Sequence, residues 1–378
     1  MNKSLRNLLA LVLAGTATSV LADITVGVTL STTGPVASLG IPEKNTITLM
    51  PTSIGGEKVK YIVLDDASDP TAASKNARKL VSEDKVDVII GSSSTPTSTA
   101  VLEVAAESKT PQIALAPFAP AADKAAWVFQ MPQDFGIMAG AVIGHMAANG
   151  VKTVAFIGYS DGYGELWLRD MNRLTAEKGM KMVATERFNR TDTSVTGQIL
   201  KIMSANPDAV LVVGSGTPAA MPQAALVERG YKGRIYQTHG VANKDFLRVG
   251  GKNVEGAVLP IGPILVAEQL PDSNASKKAA LNYIKVYEAA YGADSRNSFG
   301  AHAWDSGLLL QRAIPEALKK AKPGSVEFRA ALRDALENVK EMPANHGVFS
   351  YSASDHKGLD SRAVVMVHIE NGTWKVLR

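Results

Sequence analysis

Cysteine is absent from this 378-residue chain, which excludes disulfides, cysteine-ligated metals and thiol catalysis. Charge is sparse and balanced: 20% of residues are charged and the formal net charge is +4, of which Lys3 and Arg6 contribute two. Nucleic-acid binding therefore has no support. Because the six histidines are scattered along the sequence, we also expect no metal site.

Long hydrophobic runs are also lacking. The apolar run at residues 8–14 follows Lys3 and Arg6, and small residues stand at the two positions that a signal peptidase reads before Asp23. The run is shorter than the roughly 20 residues that span a bilayer. The sequence therefore predicts a signal peptide over residues 1–22, cleaved after Ala22, and an exported mature chain.

Strand-like and helix-like segments alternate through most of the mature chain. Apolar runs of strand length lie at residues 24–28, 59–64, 86–90, 112–115, 153–157, 209–213 and 234–237. Helical patterns lie between them, for example at residues 71–83 after Asp69-Pro70 and at residues 97–108 after Thr95-Pro96. Such alternation is typical of parallel sheets with helices on both faces, and this number of strands suffices for two sheets. We therefore expect an α/β fold with two doubly wound lobes.

After Gly256 the pattern changes. Helical patterns follow one another at residues 275–291, 300–318 and 325–339, and three short strands then end at Leu377. This order is expected of a chain that crosses between two lobes three times, near residues 129–131, 258–261 and 348–350, where Pro and Gly cluster. The interpretation assigns residues 23–130 and 262–348 to lobe I, and residues 131–261 and 349–378 to lobe II.

Six short motifs occur in order along the mature chain: GPVA at 34–37, DDASDP at 65–70, SSST at 92–95, YGE at 163–165, HGVAN at 239–243 and DHKGL at 355–359. Together they resemble the leucine/isoleucine/valine-binding protein family. The resemblance implies a type I periplasmic binding protein, in which two parallel-sheet lobes joined by three hinge crossings close around a small ligand. It further implies a periplasmic monomer that delivers its ligand to an inner-membrane ABC permease, with neither catalysis nor a cofactor.

The segment at residues 91–96 links a buried strand to a helix N-terminus, where free backbone N–H groups and hydroxyls suit a carboxylate. The resemblance assigns Ser92 to the ligand carboxylate, with Ser93 beside it, while Ser94 or Thr95 caps the helix. It also assigns Tyr163 of the second lobe to a position that covers the ligand.

Other positions depart from the family's pattern. Its Ala-Ala-Thr motif, which contacts the ligand's carboxylate and amino groups, becomes Phe118, Ala119 and Pro120. Proline offers neither an N–H nor a hydroxyl. The acidic residue that pairs with the ligand ammonium becomes His239, which can donate to a second oxygen instead.

Two positions that are aromatic in the family are Leu39 and Gly216 here, and Thr217 follows Gly216 in the same cleft loop. These smaller residues leave room for a ligand with a planar ring. An enclosed ammonium without a carboxylate partner would cost roughly several kcal/mol. We therefore predict a carboxylate ligand without an α-amino group: benzoate, a hydroxybenzoate, a hydroxycinnamate or an aryl 2-oxo acid. The alternative is a branched-chain or other amino acid, paired with Glu165 or Asp305.

A secreted serine hydrolase is a remote alternative. GYSDG at 158–162 matches the nucleophile-elbow pattern, with Ser160 as nucleophile and His346 or His356 as its base. In a nucleophile elbow the helix begins at the serine, whereas here the turn continues beyond Ser160. We therefore predict instead that Ser160 shapes the loop before Tyr163.

Two other patterns have simple explanations. GSGTPA at 214–219 imitates a dinucleotide fingerprint, but Pro218 interrupts it and no acidic residue follows at the required spacing. In our interpretation, Asp65, Asp66 and Asp69 form a turn and a helix cap, not a metal cluster.

A receptor for import and a receptor for signalling both require only lobe closure. The sequence therefore leaves open which of the two roles this protein has.

Overall fold

Two sheets organise residues 23–377, the part of the chain that the computed structural model describes. The six strands of the first sheet are β1 Ile24–Leu30, β2 Ser53–Ile54, β3 Glu57–Asp65, β4 Val88–Gly91, β5 Gln112–Ala114 and β6 Val128–Gln130. Their order is β2-β3-β1-β4-β5-β6. All neighbours are parallel except β2 and β3, which form a hairpin.

The second sheet begins with β7 Thr153–Tyr159, β8 Lys181–Phe188, β9 Ala209–Val213, β10 Arg234–Gln237 and β11 Val258–Ile261. Two short strands, β12 Met342–Pro343 and β13 Val348–Phe349, pair only with each other. The chain then adds β14 Val365–Glu370 and β15 Thr373–Val376 to the second sheet, whose order is β15-β14-β11-β10-β9-β7-β8. These last two strands are antiparallel, and the other five are parallel.

The helices surround both sheets. They are α1 Ala37–Ile47, α2 Pro70–Ser82, α3 Thr95–Glu107, α4 Phe135–Ala148, α5 Gly162–Glu177, α6 Thr196–Ala205, α7 Ala220–Glu228, α8 Lys244–Gly250, α9 Lys277–Tyr291, α10 Ser298–Leu318 and α11 Val326–Glu337. Strands and helices thus alternate from β3 to β11, apart from the β5–β6 step, as the sequence predicts. The α/β fold with two doubly wound parallel sheets is confirmed.

Local sequence sets where the helices begin. Asp69 caps α2 by accepting a hydrogen bond from the backbone N–H of Ala72 at 2.7 Å, and Pro70 occupies the first helical position. Asp161 caps α5 by accepting from Tyr163 N–H at 2.9 Å. These caps place the helix N-termini directly after the carboxyl ends of the preceding strands, where parallel-sheet proteins bind their ligands.

Each sheet has its own apolar core. Residues of β1 such as Val26 and Val28 pack with Leu310 of α10 and Phe328 of α11. In the second sheet, Phe156 of β7 belongs to the cluster that contains the α4 and α5 side chains. Central strands are buried on both faces, which is why they appear in the sequence as continuous apolar runs.

Four strands up to β11 were not expected from the sequence: β2, β6, β8 and β11, of which β6 and β11 lie where the sequence predicts lobe crossings. The longest, β8, lies at the edge of the second sheet, and its residues from Lys181 to Arg187 are exposed or half-buried. Half-buried edge strands carry polar residues and so lack the apolar run on which the prediction depends.

Helix α9 contacts elements of both sheets. Its Tyr283 and Tyr287 share an apolar cluster with Leu259 of β11 and Trp374 of β15, while the Tyr283 hydroxyl lies 2.9 Å from Thr46 Oγ1 of α1. The expected lobe boundaries therefore stay a prediction.

The expected signal peptide, residues 1–22, lies outside the described residues. Between residues 23 and 377, every helix is too short or too polar to cross a membrane.

Candidate functional site

A cavity lies between the two sheets, where the loops that follow their strands converge. The loop after β4 supplies Ser93 and the start of α3, and the loop after β5 supplies Ala116. From the second sheet, the loops after β9 and β10 supply Ser215 and His239. The complete lining is Leu39, Ser93, Ser94, Thr95, Leu115, Ala116, Pro117, Pro132, Tyr163, Arg190, Ser215, His239, Gly240, Phe299 and His302.

The cavity is narrow. The region that the centre of a water molecule can occupy is about 20 Å³. Across the cleft, a β-carbon added to Gly216 would lie 2.8 Å from Ser38 Oγ and 3.0 Å from Leu39 Cδ1. The loop after β9 therefore touches α1, and the lobes are closed over the cavity.

Two helix N-termini face this cavity. Ser94 and Thr95 begin α3, and Tyr163 belongs to the first turn of α5. The two helices approach each other, since a β-carbon on Gly162 would lie 3.4 Å from Thr95 Cγ2. Helix N-termini present unpaired N–H groups and a partial positive charge, which favours an anion.

Ser93 is backed by a buried carboxyl group. Its hydroxyl donates to Glu43 of α1 and accepts from the backbone N–H of Ser31 at 3.0 Å. Burial raises the pKa of Glu43 well above its ordinary value, and the neighbouring Asp66 adds to the rise, while the hydrogen bond from Ser93 opposes it. The raised pKa favours the neutral form of Glu43, which weakens its repulsion of an anion in the cavity.

Arg190 brings a cation to the cavity from the loop after β8. Its Nε donates to Asp161 Oδ2 at 2.7 Å, and one terminal nitrogen donates to Ser215 Oγ at 2.8 Å. The guanidinium also lies over the ring of Tyr159, 4.1 Å from the centroid. A guanidinium has five N–H donors, so several remain for a ligand carboxylate.

Two histidines line the cavity, His239 and His302. Burial lowers the pKa of His239 to about 3, and the neighbouring His346 lowers it further. The pKa of His302 is lowered well below its ordinary value, mainly by burial. Both rings are therefore neutral at physiological pH. The hydroxyl of Tyr163 is close by, 2.8 Å from Thr238 Oγ1.

The residues that line the cavity include no aspartate or glutamate. Two acidic residues were considered as partners for a ligand ammonium, and both are engaged elsewhere. Glu165 forms an exposed ion pair with Arg187, at 3.0 Å for one of its two hydrogen bonds. Asp305 is fully buried and accepts from His346 Nδ1 at 2.9 Å.

Of the nine residues predicted for the site, the structure brings four to the cavity: Leu39, Ser93, Tyr163 and His239. It places the others elsewhere. Ser92 is buried behind the cavity wall and donates to Asp66 at 2.5 Å. Gly216 and Thr217 lie in the loop that closes against α1 and do not line the cavity, so the space left at Gly216 receives Leu39 and not a ligand.

The segment after β5 that lines the cavity lies earlier in the chain than expected. Leu115, Ala116 and Pro117 line the cavity. Phe118 turns away, because its N–H donates to Gln130 Oε1 at 3.0 Å and its ring packs in a separate apolar cluster. Pro120 lines a surface groove near His356. The structure therefore places residues 115–117 on the cavity wall, and Phe118 and Pro120 away from it.

Among the lining residues that sequence reasoning missed are Arg190, Phe299 and His302. Arg190 follows β8, the edge strand that was not predicted. A charged residue just after a strand would have been a signal had the strand been found. Phe299 and His302 lie near the start of α10, and their spacing on one helix face carries no signal of a cleft.

The remaining sequence alternatives find ordinary structural roles. Ser160 donates to Asn189 Oδ1 at 2.5 Å. His346 is bonded to Asp305, and His356 Nδ1 lies 3.0 Å from the carbonyl oxygen of Val128, so neither histidine activates Ser160.

The three aspartates of the DDASDP motif hold turns together. Asp65 accepts from the hydroxyl of Thr33 at 2.7 Å, Asp66 accepts from the hydroxyl of Ser31 at 2.7 Å, and Asp69 caps α2. Within residues 23–377, no group of three potential metal ligands occurs.

Comparison with known proteins agrees with this architecture. A family model described as periplasmic binding protein matches residues 23–373. An extracellular ligand-binding receptor from Rhodopseudomonas palustris HaA2 is 49% identical, covers 94% of this chain and 100% of its own, and superposes with a TM-score of 0.92.

More distant relatives share the fold. Leu/Ile/Val-binding protein homolog 3 of Brucella melitensis biotype 1 is 25% identical over 89% of each chain. A solute binding protein of an ABC transporter from Rhodopseudomonas palustris BisB5, in complex with 3,4-dihydroxy benzoic acid, is 20% identical; the match covers 93% of this chain and 95% of that one, with a TM-score of 0.77. As its motifs predict, this chain belongs to the periplasmic binding protein family and is a solute-binding protein.

Proposed function

We propose that this protein captures an aromatic carboxylate between its closing lobes and delivers it to an ABC permease of the inner membrane. The observation that carries this proposal is the charge of the cavity: Arg190 lines it, and no acidic residue does. The N-termini of α3 and α5 add partial positive charge on the same cavity. The ligand group that this arrangement favours is a carboxylate.

An α-amino acid fits this cavity poorly. Its ammonium would be enclosed among neutral or positively charged groups, and burying an unpaired charge costs at least several kcal/mol. About 8 kcal/mol corresponds to micromolar affinity, so a loss of this size removes useful binding. The family resemblance assigns His239 to the position of the family's acidic residue, and its lowered pKa keeps the ring neutral.

The apolar part of the lining supports an aromatic body. Leu39 and Phe299 come from one side of the cleft, Leu115 and Pro117 from the loop after β5, and Tyr163 from α5. A flat ring offers such surfaces more apolar area than a short aliphatic chain, and the cavity, which is narrow in this structure, widens to admit it when the lobes open. Benzoate, hydroxybenzoates, hydroxycinnamates and aryl 2-oxo acids are the candidates.

The fold itself does not select the ligand. The BisB5 protein that holds 3,4-dihydroxy benzoic acid shares only 20% of its residues with this chain. The Brucella relative is named for branched-chain amino acids at 25% identity. Binding of branched-chain amino acids is therefore the alternative that an experiment has to separate.

A ligand screen tests the proposal. The exported protein is purified, unfolded and refolded to remove any carried-over ligand, then melted with each aromatic acid and with leucine, isoleucine, valine and phenylalanine. A ligand present at 100 times its dissociation constant adds about 2.7 kcal/mol of stability. We expect stabilisation by at least one aromatic acid and by none of the amino acids. Stabilisation by amino acids alone would refute the proposal and favour the alternative.

A further inference from the structure

Two buried histidines in the cavity have nitrogen atoms without a protein partner. Neither Nδ1 nor Nε2 of His239 has a hydrogen-bond partner among residues 23–377, and the same is true of Nδ1 of His302. His239 is 6% exposed and His302 is 2% exposed. Buried polar atoms of native proteins are nearly always hydrogen-bonded, so these nitrogens call for an explanation.

The ring of His302 is held in place by its neighbours. It stacks on His346 with centroids 3.6 Å apart and an interplanar angle of 13°. His346 is itself fixed, because Nδ1 lies 2.9 Å from Asp305 Oδ2 and Nε2 lies 3.1 Å from Ser298 Oγ. His302 therefore lines the cavity with its ring held in a fixed orientation before a ligand arrives, which lowers the entropic cost of binding.

His239 is positioned from the other side of the cleft. It opens the short helical turn His239–Val241 that follows β10, and its ring lies 6.2 Å from that of Tyr163 and 6.0 Å from that of Trp167, centroid to centroid. The two histidines thus belong to separate elements, the turn after β10 and helix α10, and both line the same cavity. Burial lowers the pKa of His302 most, and a positive charge on His346 or on His239 would lower it further.

A neutral imidazole offers one N–H donor and one nitrogen acceptor. A carboxylate only accepts hydrogen bonds and an ammonium only donates them, so each would leave one kind of nitrogen unpaired. A hydroxyl group both donates and accepts, and it carries no charge that would need a counter-ion. The group that matches two neutral histidines is therefore a hydroxyl.

We propose that His239 and His302 form a hydroxyl-binding subsite, through which the protein prefers ring-hydroxylated aromatic acids to their unsubstituted counterparts. This inference rests on the proposed function, because it assumes that the carboxylate of the same ligand is bound in this cavity. It names the second polar group of the ligand and two residues that recognise it, one of which, His302, the family resemblance does not indicate.

Matched ligand pairs test the inference. Dissociation constants are measured by calorimetry for cinnamate against 3- and 4-hydroxycinnamate, and for benzoate against 3- and 4-hydroxybenzoate. Because each pair differs by one oxygen atom, the ratio of the two constants isolates the hydroxyl. We expect a ratio of about tenfold or more in favour of one hydroxylated acid, as for sites built to hydrogen-bond a substrate hydroxyl.

The variants His302→Phe and His239→Phe retain an aromatic ring and remove the polar nitrogens. In each, we expect the ratio to fall towards one, and a cooperative thermal unfolding transition shows that the variant is folded. His302→Leu, which also removes the polar nitrogens, provides a second test at the same position if the phenylalanine variant does not fold. His368→Phe, at a half-buried position on β14, is the control that should leave the ratio unchanged.

The outcomes separate the two proposals. Equal affinities for all matched pairs in the unaltered protein would overturn the hydroxyl subsite and leave aromatic-acid binding intact. A ratio that survives in both histidine variants would overturn the assignment to these residues. Failure of every aromatic acid to bind would overturn both proposals together.

Discussion

Asp161 holds Arg190 at the cavity by a hydrogen bond of 2.7 Å between its Oδ2 and the arginine Nε. The same carboxylate caps α5, with Oδ1 accepting from Tyr163 N–H at 2.9 Å. One side chain thus orients both the cation and the helix N-terminus that face the cavity. Asp161 uses one oxygen for each of these two partners and accepts only from Nε of the guanidinium. N–H groups on the terminal nitrogens of Arg190 therefore remain for a ligand.

Replacing Arg190 with glutamine should weaken binding of aromatic carboxylates. A hydrogen bond to a charged group contributes about 1.5–3 kcal/mol, which corresponds to roughly 10- to 150-fold in the dissociation constant. Titration calorimetry measures the change. Arg187→Gln is the matched control, because Arg187 precedes Arg190 on the same segment but pairs with Glu165 at the surface. Equal affinities for Arg190→Gln and the unaltered protein would exclude the guanidinium as the carboxylate partner.

Replacing Gly216 with alanine should hinder closure of the lobes. The φ angle of Gly216 is +64°, and its added β-carbon would meet Ser38 and Leu39 of the opposite lobe. Gly256→Ala is the control, since Gly256 also has a positive φ, +76°, but nothing lies within 4 Å of its added β-carbon.

Both glycine variants should lose a similar amount of stability, about 1 kcal/mol, from the strained backbone. Only Gly216→Ala should also bind ligand more weakly and keep a larger radius of gyration in the presence of ligand, measured by small-angle X-ray scattering. If the two variants bind alike, the contact between Gly216 and α1 does not limit closure.

Glu43 should make the protein less stable as pH rises. Burial raises the pKa of its carboxyl above 4.5, so the folded state keeps a proton that the unfolded state releases. Stability from this group is fully present below pH 4.5 and is lost as pH rises towards the folded-state pKa. The isosteric variant Glu43→Gln has no proton to lose. Its free energy of unfolding, relative to the unaltered protein, should therefore increase above pH 4.5 by up to about 1.4 kcal/mol per pH unit.

Urea denaturation between pH 4.5 and 8 measures this difference. Glu83→Gln, at an exposed position at the end of α2, should show no such trend. A difference between Glu43→Gln and the unaltered protein that does not change with pH would show that Glu43 is ionised in the folded state.

His239 should make the protein less stable as the pH falls into the acid range. Its pKa is lowered from 6.5 to about 3 in the folded protein, so the unfolded state takes up a proton first as the pH falls. The unaltered protein should lose about 1.4 kcal/mol of stability per pH unit below pH 6.5 because of this residue. His239→Gln should lack that component, and His368→Gln should retain it. Parallel acid unfolding curves for the protein and His239→Gln would contradict the burial of His239.

Central elements of the fold could be predicted because local sequence and tertiary environment agree there. The run of residues 209–213 is predicted as a strand and is strand β9, Ala209–Val213, buried on both faces. Helix α2 begins at Pro70, one residue before the predicted start, because Asp69 caps it. The edge strand β8 could not be predicted in the same way, since half of its surface meets solvent and its sequence follows no apolar run.

Part of the site was predictable for a similar reason. Ser93 and His239 follow predicted strands, and the carboxyl ends of parallel strands meet at one edge of a sheet. The segment after β5 shows the limit of this reasoning. Whether residues 115–117 or 118–120 face the cavity depends on a hydrogen bond from Phe118 to Gln130, which lies on the next strand, and local sequence does not reveal it.

The amino-acid sequence by itself determined the alternation of central strands and helices, the caps of α2 and α3 and the absence of any cysteine chemistry, because each depends on a residue's own segment. Only the tertiary structure decided that Arg190, His239 and His302 share one cavity. Those residues lie in loops and on a helix of separate elements, and their approach depends on how two sheets pack and close. Periodicity and propensity carry information about a residue's own element, whereas the charge and shape of a cleft arise from side chains that are distant in sequence.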